Sequence, residues 1–370
     1  MVTQEQVRQA LRSVLDPEIH KPIEDIGMLK DIQVSPDGDV RVEVLLTVAG
    51  CPLKDRINAD VTNAVQPLEG VRSVEVALGE MSGEQREGLV HQLRGGAPAE
   101  QTFFTEGDTE IIAVASGKGG VGKSSVTANL AVAMAAEGQR VGVLDADVWG
   151  FSIPRMMGVS GRPVAFNNMM LPLEAHGVRV ISMGFFVPDA QPVIWRGPML
   201  HKALQQFIGD VYWGDLDVLL IDMPPGTGDV SLSLASFLPS GSMLVVTTPQ
   251  DAASKVAERA GRMAQHPNVK LRLLGVVENM AGFVCPHCGE LTDVFGTGGG
   301  QKTAEALGVP FVGQVPMQVS LREGSDTGTP IVVSDPDSPA GEALRGIAGD
   351  LVKRTRTKVG KTLPLTVAPR

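Results

Sequence analysis

Seven short, unbroken apolar runs follow one another in the second part of the chain, separated by segments of helical character. They lie between residues 111 and 316 and read IIAVAS, VGVLDAD, VRVISMG, VLLIDMP, MLVVTTP, LLGVVEN and PFVGQVP. A strand that is apolar on both faces must be buried on both faces, and helices on either side of a parallel sheet provide that cover. The pattern predicts an α/β domain with a doubly wound, mostly parallel sheet over residues 109–352.

The first part of the chain follows a different pattern, which predicts a small α+β domain over residues 1–80. A helix comes first, two strand-like runs are split by the turn SPDG, and a second helix and a third strand follow. Residues 81–108 are mostly polar and contain Gly-Gly-Ala-Pro, so we expect a flexible linker there. Residues 353–370 carry six basic and no acidic side chains, which indicates a solvated basic tail.

Composition and charge narrow the classes of function. The 32 basic and 42 acidic side chains give a net charge of -10, which argues against binding to nucleic acid or to an anionic membrane over the whole surface. No segment approaches the roughly 20 apolar residues that span a bilayer, and the N-terminus lacks a signal-peptide pattern. Three cysteines are too few for a disulfide framework. We therefore expect a cytoplasmic protein with no membrane or nucleic-acid partner.

A phosphate-binding loop stands between the first apolar strand and the following helix. The segment from Gly117 to Ser124 matches G-x-x-x-x-G-K-[ST]. Its glycines let backbone N–H groups point at phosphate oxygens, and the helix N-terminus adds a positive dipole end. Lys123 would neutralise the β- and γ-phosphates of ATP, and Ser124 would bind Mg²⁺. The residues expected to contact the nucleotide here are Gly117, Lys118, Gly119, Gly120, Val121, Gly122, Lys123, Ser124 and Ser125.

Three acidic residues end two of the predicted strands, where a doubly wound sheet has its ligand crevice. Asp222 ends VLLID and is expected to hold the Mg²⁺ shell. Asp145 and Asp147 end VGVLDAD, where we expect them close enough to a γ-phosphate to polarise an attacking water. A Gly/Pro-rich loop continues from Asp222 to Asp229 and suits switching between bound and hydrolysed states.

Cys285 and Cys288 stand at C-x-x-C spacing, so both sulfurs can bind one metal centre. Gly289 follows, where a c-type haem site needs His, and strand-like residues come next, where a redox pair normally opens a helix. A four-thiolate site needs two more ligands, yet the chain has no second C-x-x-C and Cys51 belongs to the other predicted domain. Two chains donating two thiolates each would complete the site, which suits Zn²⁺ and an iron–sulfur cluster equally.

Residues 110–335 resemble the Mrp/ApbC family of iron–sulfur cluster carrier ATPases. The matching stretches are SGKGGVGKSS, LDADVWG, WRGPML, IDMPPGTGD, TTPQD, VENM, FVCPHCGE and LREGSDTGTP. Residues 3–80 resemble the small N-terminal domain of bacterial members, which also occurs in other iron–sulfur assembly proteins. The loop KGGVGKS resembles the deviant phosphate loop of the MinD, ParA and nitrogenase iron protein class, in which a lysine at the position of Lys118 reaches the partner's phosphates in a nucleotide-sandwiched homodimer.

The resemblance implies a homodimer in which Cys285 and Cys288 bridge a labile [4Fe–4S] cluster between two subunits. ATP hydrolysis would be coupled to delivery of the cluster to apo iron–sulfur proteins, with a cluster assembly scaffold as a further partner. It implies that Lys118 acts across the dimer, that Asp147 assists hydrolysis beside Lys123 and Asp222, and that Asn279 contacts adenine. Cys51 matches a cysteine of the small domain and is a candidate accessory thiol.

The alternative is a ParA/MinD-like positioning ATPase, whose dimer is a switch and whose cysteine pair is a structural zinc clasp. The basic tail favours this alternative. The acidic net charge, the presence of the cysteine pair and the absence of an amphipathic membrane-targeting tail favour the carrier.

Overall fold

A computed structural model of the chain describes residues 2–47, 53–93, 109–147, 150–167, 169–186, 197–226, 231, 235, 238, 241–266, 269 and 271–356. Cys51, residues 94–108, most of the loop beyond Gly226 and the tail beyond Arg356 lie outside this set. The chain divides into two compact units. The first comprises Met1–Phe103, Val164–Pro172 and Gly209–Gly214, and the second comprises Phe104–Pro163, Leu173–Ile208 and Asp215–Arg370.

The first unit has the predicted α-β-β-α-β order. A capping box starts its first helix, because the Thr3 side chain and the Gln6 backbone and side chain bond reciprocally. The first two strands pair antiparallel, and the second and third pair parallel across the intervening helix. The elements are α1 (Gln4–Leu11), β1 (Leu29–Val34), β2 (Asp39–Leu46), α2 (Lys54–Val65) and β3 (Ser73–Glu80).

A third helix, α3 (Gly83–Leu93), lies inside the predicted linker, so that prediction is wrong over these residues. Ser82 and Gln85 form a capping box at its start, with bonds of 3.2 Å and 2.8 Å. Leu89, Val90 and Leu93 are buried in the core of the first unit. The capping signal and these apolar residues outweigh the polar composition that suggested a linker.

Two short segments of the range predicted for the ATPase domain also belong to the first unit. Met169, Leu171 and Tyr212 are buried in the same core as the small domain's side chains. The contiguous range 109–352 therefore differs from the unit that the contacts define.

The remaining elements alternate between strand and helix as predicted, with short additional strands. In chain order they are β4 (Glu110–Ser116), α4 (Lys123–Ala136), β5 (Val141–Asp145), α5 (Ile153–Met156), β6 (Val164–Phe166), β7 (Met169–Leu171), β8 (Leu173–Ala175), β9 (Val178–Ser182), α6 (Gly197–Gly209), β10 (Val218–Asp222), β11 (Ser242–Thr247), α7 (Asp251–Ala264), β12 (Arg272–Val284), β13 (Leu291–Thr292), α8 (Gly299–Leu307), β14 (Phe311–Met317), α9 (Val319–Thr327), α10 (Ile331–Ser334) and α11 (Pro339–Arg356). A 3₁₀ turn spans Met183–Phe186.

Nine of the described strands form one sheet in the second unit, which confirms the predicted α/β fold. The order is β13-β12-β11-β4-β10-β5-β9-β8, with β14 paired to β12. Only β13 against β12 and β8 against β9 run antiparallel among these pairs. Helix α4 packs against α11, α7 packs against α8, and both pairs pack on the strands. In the described residues, no helix has the length and apolarity to cross a membrane.

The sheet brings the functional residues of three strands to one edge. Strand β10 lies between β4 and β5 and pairs parallel with both, so that their carboxyl ends align. In this register Asp222 pairs with Asp145 of β5 and with Val114 of β4. Val114 lies two residues before the end of β4, the strand that leads into the phosphate loop. The register thus places the phosphate loop and the strand-end acids together.

Leu89→Ala should lower the free energy of unfolding of the first unit by about 2–3 kcal/mol, because it removes a side chain buried in that unit's core. Glu87→Ala in the same helix replaces an exposed side chain and should change the free energy of unfolding by less than about 0.5 kcal/mol. Urea unfolding followed by circular dichroism measures both. Equal, small effects would show that α3 does not belong to the core.

Candidate functional site

The phosphate loop lines a cavity of about 380 Å³. A side chain at Gly119 or Gly120 would meet no atom within 4 Å, so the backbone there faces open space. Gly120 and Gly122 both have φ of 79°, a left-handed conformation that favours glycine. The lining residues are Ser116, Lys118, Gly119, Gly120, Val121, Gly122, Lys123, Ser124, Ser125, Asp147, Gly150, Ser152, Met156 and Pro225.

Gly117 does not line this cavity, and its geometry gives it a packing role. A Cβ atom there would lie 2.2 Å from the carbonyl carbon of Val256 and 2.4 Å from the backbone nitrogen of Ala257. The absence of a side chain therefore lets the start of the loop pack directly on the backbone of α7.

Three side chains of the loop and of α4 converge on Asp222. The Lys123 ammonium lies 2.6 Å from Oδ2 of Asp222, and both side chains are almost fully buried. Ser124 donates a hydrogen bond of 2.5 Å to the same oxygen, and Thr127 donates one of 2.9 Å to Oδ1. Carboxylate and hydroxyl oxygens are the hard ligands that Mg²⁺ prefers, so Ser124 and Asp222 fit the predicted magnesium site.

Thr127 is a site residue that the sequence interpretation missed. It lies one helical turn after Lys123, and its hydroxyl also donates to the Lys123 carbonyl at 3.0 Å. The available signal was this four-residue spacing, which puts both side chains on the face of α4 directed at β10.

The two acids that follow β5 separate in the structure. Asp147 lines the cavity, and its Oδ2 lies 4.0 Å from the Lys123 ammonium. Asp145 is fully buried and is not among the cavity's lining residues. It accepts hydrogen bonds from Ser182 Oγ at 3.0 Å and from the backbone N–H groups of Asp147 and Ile153. Asp145 therefore anchors the segment that carries Asp147, rather than facing the cavity as the sequence had suggested.

Burial, followed by the charge of the neighbouring Asp222 carboxylate, raises the pKa of Asp145 to about 8. The hydrogen bond from Ser182, the charge of Lys123 and the backbone hydrogen bond from Asp147 oppose this rise. The carboxyl group is thus held in its neutral form at neutral pH.

Lys118 extends from the loop into solvent. Its ammonium donates to Gln250 Oε1 at 3.4 Å, and Thr248 donates to the same oxygen at 2.8 Å. Lys118 is exposed and is also one of the residues that line the cavity.

Asn279 lies behind the phosphate loop. Its side-chain amide donates to the Val121 carbonyl at 2.9 Å, and the residue is only 4% exposed. It is not among the residues that line the cavity. The contact with adenine stays a prediction.

The cysteine pair occupies the turn of a β-hairpin. Strand β12 runs antiparallel to β13, with Phe283 opposite Thr292 and Val284 opposite Leu291. The Cys285 N–H donates to the Glu290 carbonyl at 3.0 Å, and the Gly289 N–H donates to the Cys285 carbonyl at 2.9 Å. Both thiols are free; Cys285 is half-buried and Cys288 is exposed. The strand-like residues predicted after the pair are confirmed.

Hydrogen bonding favours the thiolate at this turn. The backbone N–H of Cys288, followed by that of His287 and by the Cys288 side chain, lowers the pKa of Cys285. Thiolate is the form that binds metal. In the part of the chain that the structure describes, no three His, Cys, Asp or Glu side chains gather into a metal site, so the turn supplies two ligands by itself.

A glycine-rich loop between a parallel strand and a helix, with a lysine, a hydroxyl and a strand-end carboxylate converging beside it, defines a P-loop NTPase. Comparison with known families agrees. Residues 108–352 match the model described as "NUBPL iron-transfer P-loop NTPase", and residues 4–78 match the model described as "Iron-sulfur cluster assembly protein". The chain belongs to the NUBPL iron-transfer P-loop NTPase family, and this membership supports an iron–sulfur cluster carrier function.

Individual proteins show the same likeness. The chain is 52% identical over 367 residues to the iron-sulfur cluster carrier protein of Mycobacterium tuberculosis, covering 97% of this chain and 96% of the relative. A nucleotide-binding protein of Archaeoglobus fulgidus, solved in complex with ADP, is 40% identical with a TM-score of 0.52, covering 59% of this chain and 86% of that one. The cell division ATPase MinD of Pyrococcus furiosus, at 24% identity and a TM-score of 0.51, covers 66% of this chain and 99% of its own and shares the fold.

The raised pKa of Asp145 predicts a pH dependence of stability. The folded chain holds this proton up to about pH 8, whereas the unfolded chain releases it near pH 4. Stability that comes from the neutral carboxyl is therefore complete below pH 4 and is lost as the pH rises through 8. Between pH 5 and pH 8, the free energy of unfolding of Asp145→Asn, which stays neutral, should rise by at least about 1 kcal/mol relative to that of the native chain. Urea unfolding at several pH values measures this, and parallel curves for the two proteins would contradict it.

Proposed function

We propose that this protein hydrolyses ATP and carries a labile [4Fe–4S] cluster between two copies of the chain, from a cluster assembly scaffold to apo iron–sulfur proteins in the cytoplasm. One observation carries the proposal. The same α/β unit holds a P-loop cavity and an exposed two-thiol turn that supplies only half of a four-thiolate site. The cavity supports nucleotide chemistry, and the half-site supports a bridging cluster.

The nucleotide half of the proposal assigns roles around Asp222. Lys123, paired with Asp222 at 2.6 Å, carries the positive charge that would face the β- and γ-phosphates of ATP. Ser124 and Asp222 would hold Mg²⁺, which supplies charge neutralisation of the phosphates. The backbone of the loop from Lys118 to Ser125 would surround the phosphate oxygens.

Asp147 is assigned to the attacking water. It faces the cavity, lies 4.0 Å from the Lys123 ammonium and is held by the backbone hydrogen bond to Asp145. A carboxylate so placed can orient a water and accept its proton. Lys118 is assigned to the partner's nucleotide, because its side chain is exposed beside the cavity. A cation supplied by a second subunit stabilises charge in the transferring phosphoryl group.

The cysteine half of the proposal favours a cluster over zinc. Accessible thiolates and few ligands per chain suit a cluster that is to be passed to another protein. Cys288 is exposed, and hydrogen bonds at the turn favour the thiolate of Cys285. Relatives that match almost the whole chain are named iron-sulfur cluster carrier proteins. We assign the small domain, with Cys51, to contacts with partner proteins or with the cluster.

Lys123→Ala and Asp147→Ala should each lower the rate of ATP hydrolysis by at least about 100-fold, the usual loss when a group that stabilises the transition state is removed. Lys255→Ala, an exposed lysine on α7, is the matched control and should keep the native rate. Phosphate release from the full chain measures the rate, and circular dichroism checks folding. A native rate in either variant would remove that residue from the mechanism.

Cys285→Ala should abolish iron and sulfide binding after anaerobic reconstitution while leaving ADP binding unchanged, because the two sites use different side chains. His287→Ala, in the same turn, changes no thiol and should retain the native iron content. Metal and sulfide analysis with an absorption spectrum measures the result. Retention of iron by Cys285→Ala would place the ligands elsewhere, and zinc alone in the native chain would favour a structural clasp.

A further inference from the structure

The two functional sites of the α/β unit lie on one strand. Strand β12 carries Asn279, which contacts the phosphate loop, and leads directly into Cys285 after Val284. Only five residues separate the loop contact from the first thiol. A displacement at one end of so short a segment shifts the other end if close contacts hold the segment at both ends.

The contact at the nucleotide end is tight. The Asn279 amide donates to the Val121 carbonyl at 2.9 Å, inside the phosphate loop. A Cβ atom on Gly122 would lie 2.2 Å from the same amide nitrogen, so the amide packs directly beneath the loop backbone. Asn279 is 4% exposed, which leaves this side chain little freedom to turn elsewhere. Asn279 is therefore in direct, buried contact with the backbone of the phosphate loop.

The strand is irregular between Asn279 and the cysteine turn. Asn279 pairs with Val315 and Phe283 pairs with Met317, so β12 advances four residues while β14 advances two. This bulge contains Met280, whose φ of 58° is strained for a side chain of its size. A bulge bends the strand that carries it and re-aims the residues that follow, here the segment that leads to the cysteine turn.

The contact at the cysteine end is also tight. Gly282 has φ of 85°, and a Cβ atom there would lie 2.8 Å from Cδ1 of Leu291. Leu291, which follows the cysteine turn, thus packs on the backbone of β12 and holds β13 against it. The hydrogen bonds of Cys285 and Gly289 close this turn.

We propose that Asn279 positions the phosphate loop and that the bulge from Asn279 to Phe283 transmits nucleotide occupancy to the cysteine turn. Phosphate groups that hold the loop N–H groups would fix Val121, and through Asn279 they would fix the bulge and the turn. Ordering of the phosphate loop then lowers the free-energy cost of ordering the cysteine turn. The inference rests on the proposed nucleotide and cluster functions, and it assigns the regulation of the second by the first.

Hydrogen–deuterium exchange of the peptide over residues 281–292 tests this coupling in the full chain, with Mg²⁺ and ADP added to saturation. A fluorescent ADP analogue measures binding to each protein separately. In the native chain, ADP should slow exchange at Cys285 and Gly289 by at least about fivefold, the lower end of typical couplings between sites. His287→Ala leaves the link intact and should show the same slowing.

Two variants disturb the connection at its two ends, one at the contact with the phosphate loop and one at the hairpin. Asn279→Ala, at saturating ADP, should show no slowing in this peptide. Gly282→Ala should bind ADP within about twofold of the native affinity and also show no slowing, because it disturbs only the hairpin end. If Asn279→Ala cannot be saturated with ADP, Gly282→Ala decides the question.

The outcomes separate this inference from the proposed function. A native chain that binds ADP without slower exchange in the peptide overturns the coupling and leaves the function standing. Slowing that persists in Gly282→Ala, or in ADP-saturated Asn279→Ala, shows that another route carries the signal and also overturns it. A native chain that binds no ADP overturns both.

Discussion

A buried ion pair between Lys123 and Asp222 organises the nucleotide site. Both side chains are nearly inaccessible, and their charged atoms lie 2.6 Å apart at the end of the central strand β10. Removing one partner of such a pair leaves an uncompensated buried charge, which costs about 3–5 kcal/mol. The sheet register fixes Asp222, and the loop and α4 must then bring Lys123, Ser124 and Thr127 to it. These contacts hold the start of α4 against the end of β10.

The cysteine turn differs from the nucleotide site, because its thiols are accessible and its set of metal ligands is incomplete. Two thiols in a short hairpin cannot satisfy a metal that needs four ligands, and the described residues offer no third ligand nearby. An incomplete site binds firmly only with ligands from outside the chain. A nucleotide-dependent dimer would supply those ligands and could also withdraw them. The proposed dimer would thereby place the thiol site under the control of the nucleotide site.

The sequence predicts the parts of the site that are local, and it fails where distant segments meet. The phosphate loop, its flanking strand and helix, and the strand-like residues after Cys288 depend on neighbours in the chain, and the structure shows each of them. Asn279 and Val121 are 158 positions apart, so their hydrogen bond leaves no local pattern. The burial of Asp145 was missed because alternating acids after a strand do not reveal which one points outward. The helix α3 was missed because its polar composition concealed three core residues.

Native mass spectrometry of the anaerobically reconstituted full chain would show whether two chains share one cluster, because it counts chains and metal atoms in the same particle. We expect a particle of two chains with one cluster of four irons and four sulfides, which falls to single chains without iron in Cys285→Ala. A cluster retained on a single chain, or a dimer that holds only zinc, would contradict this expectation.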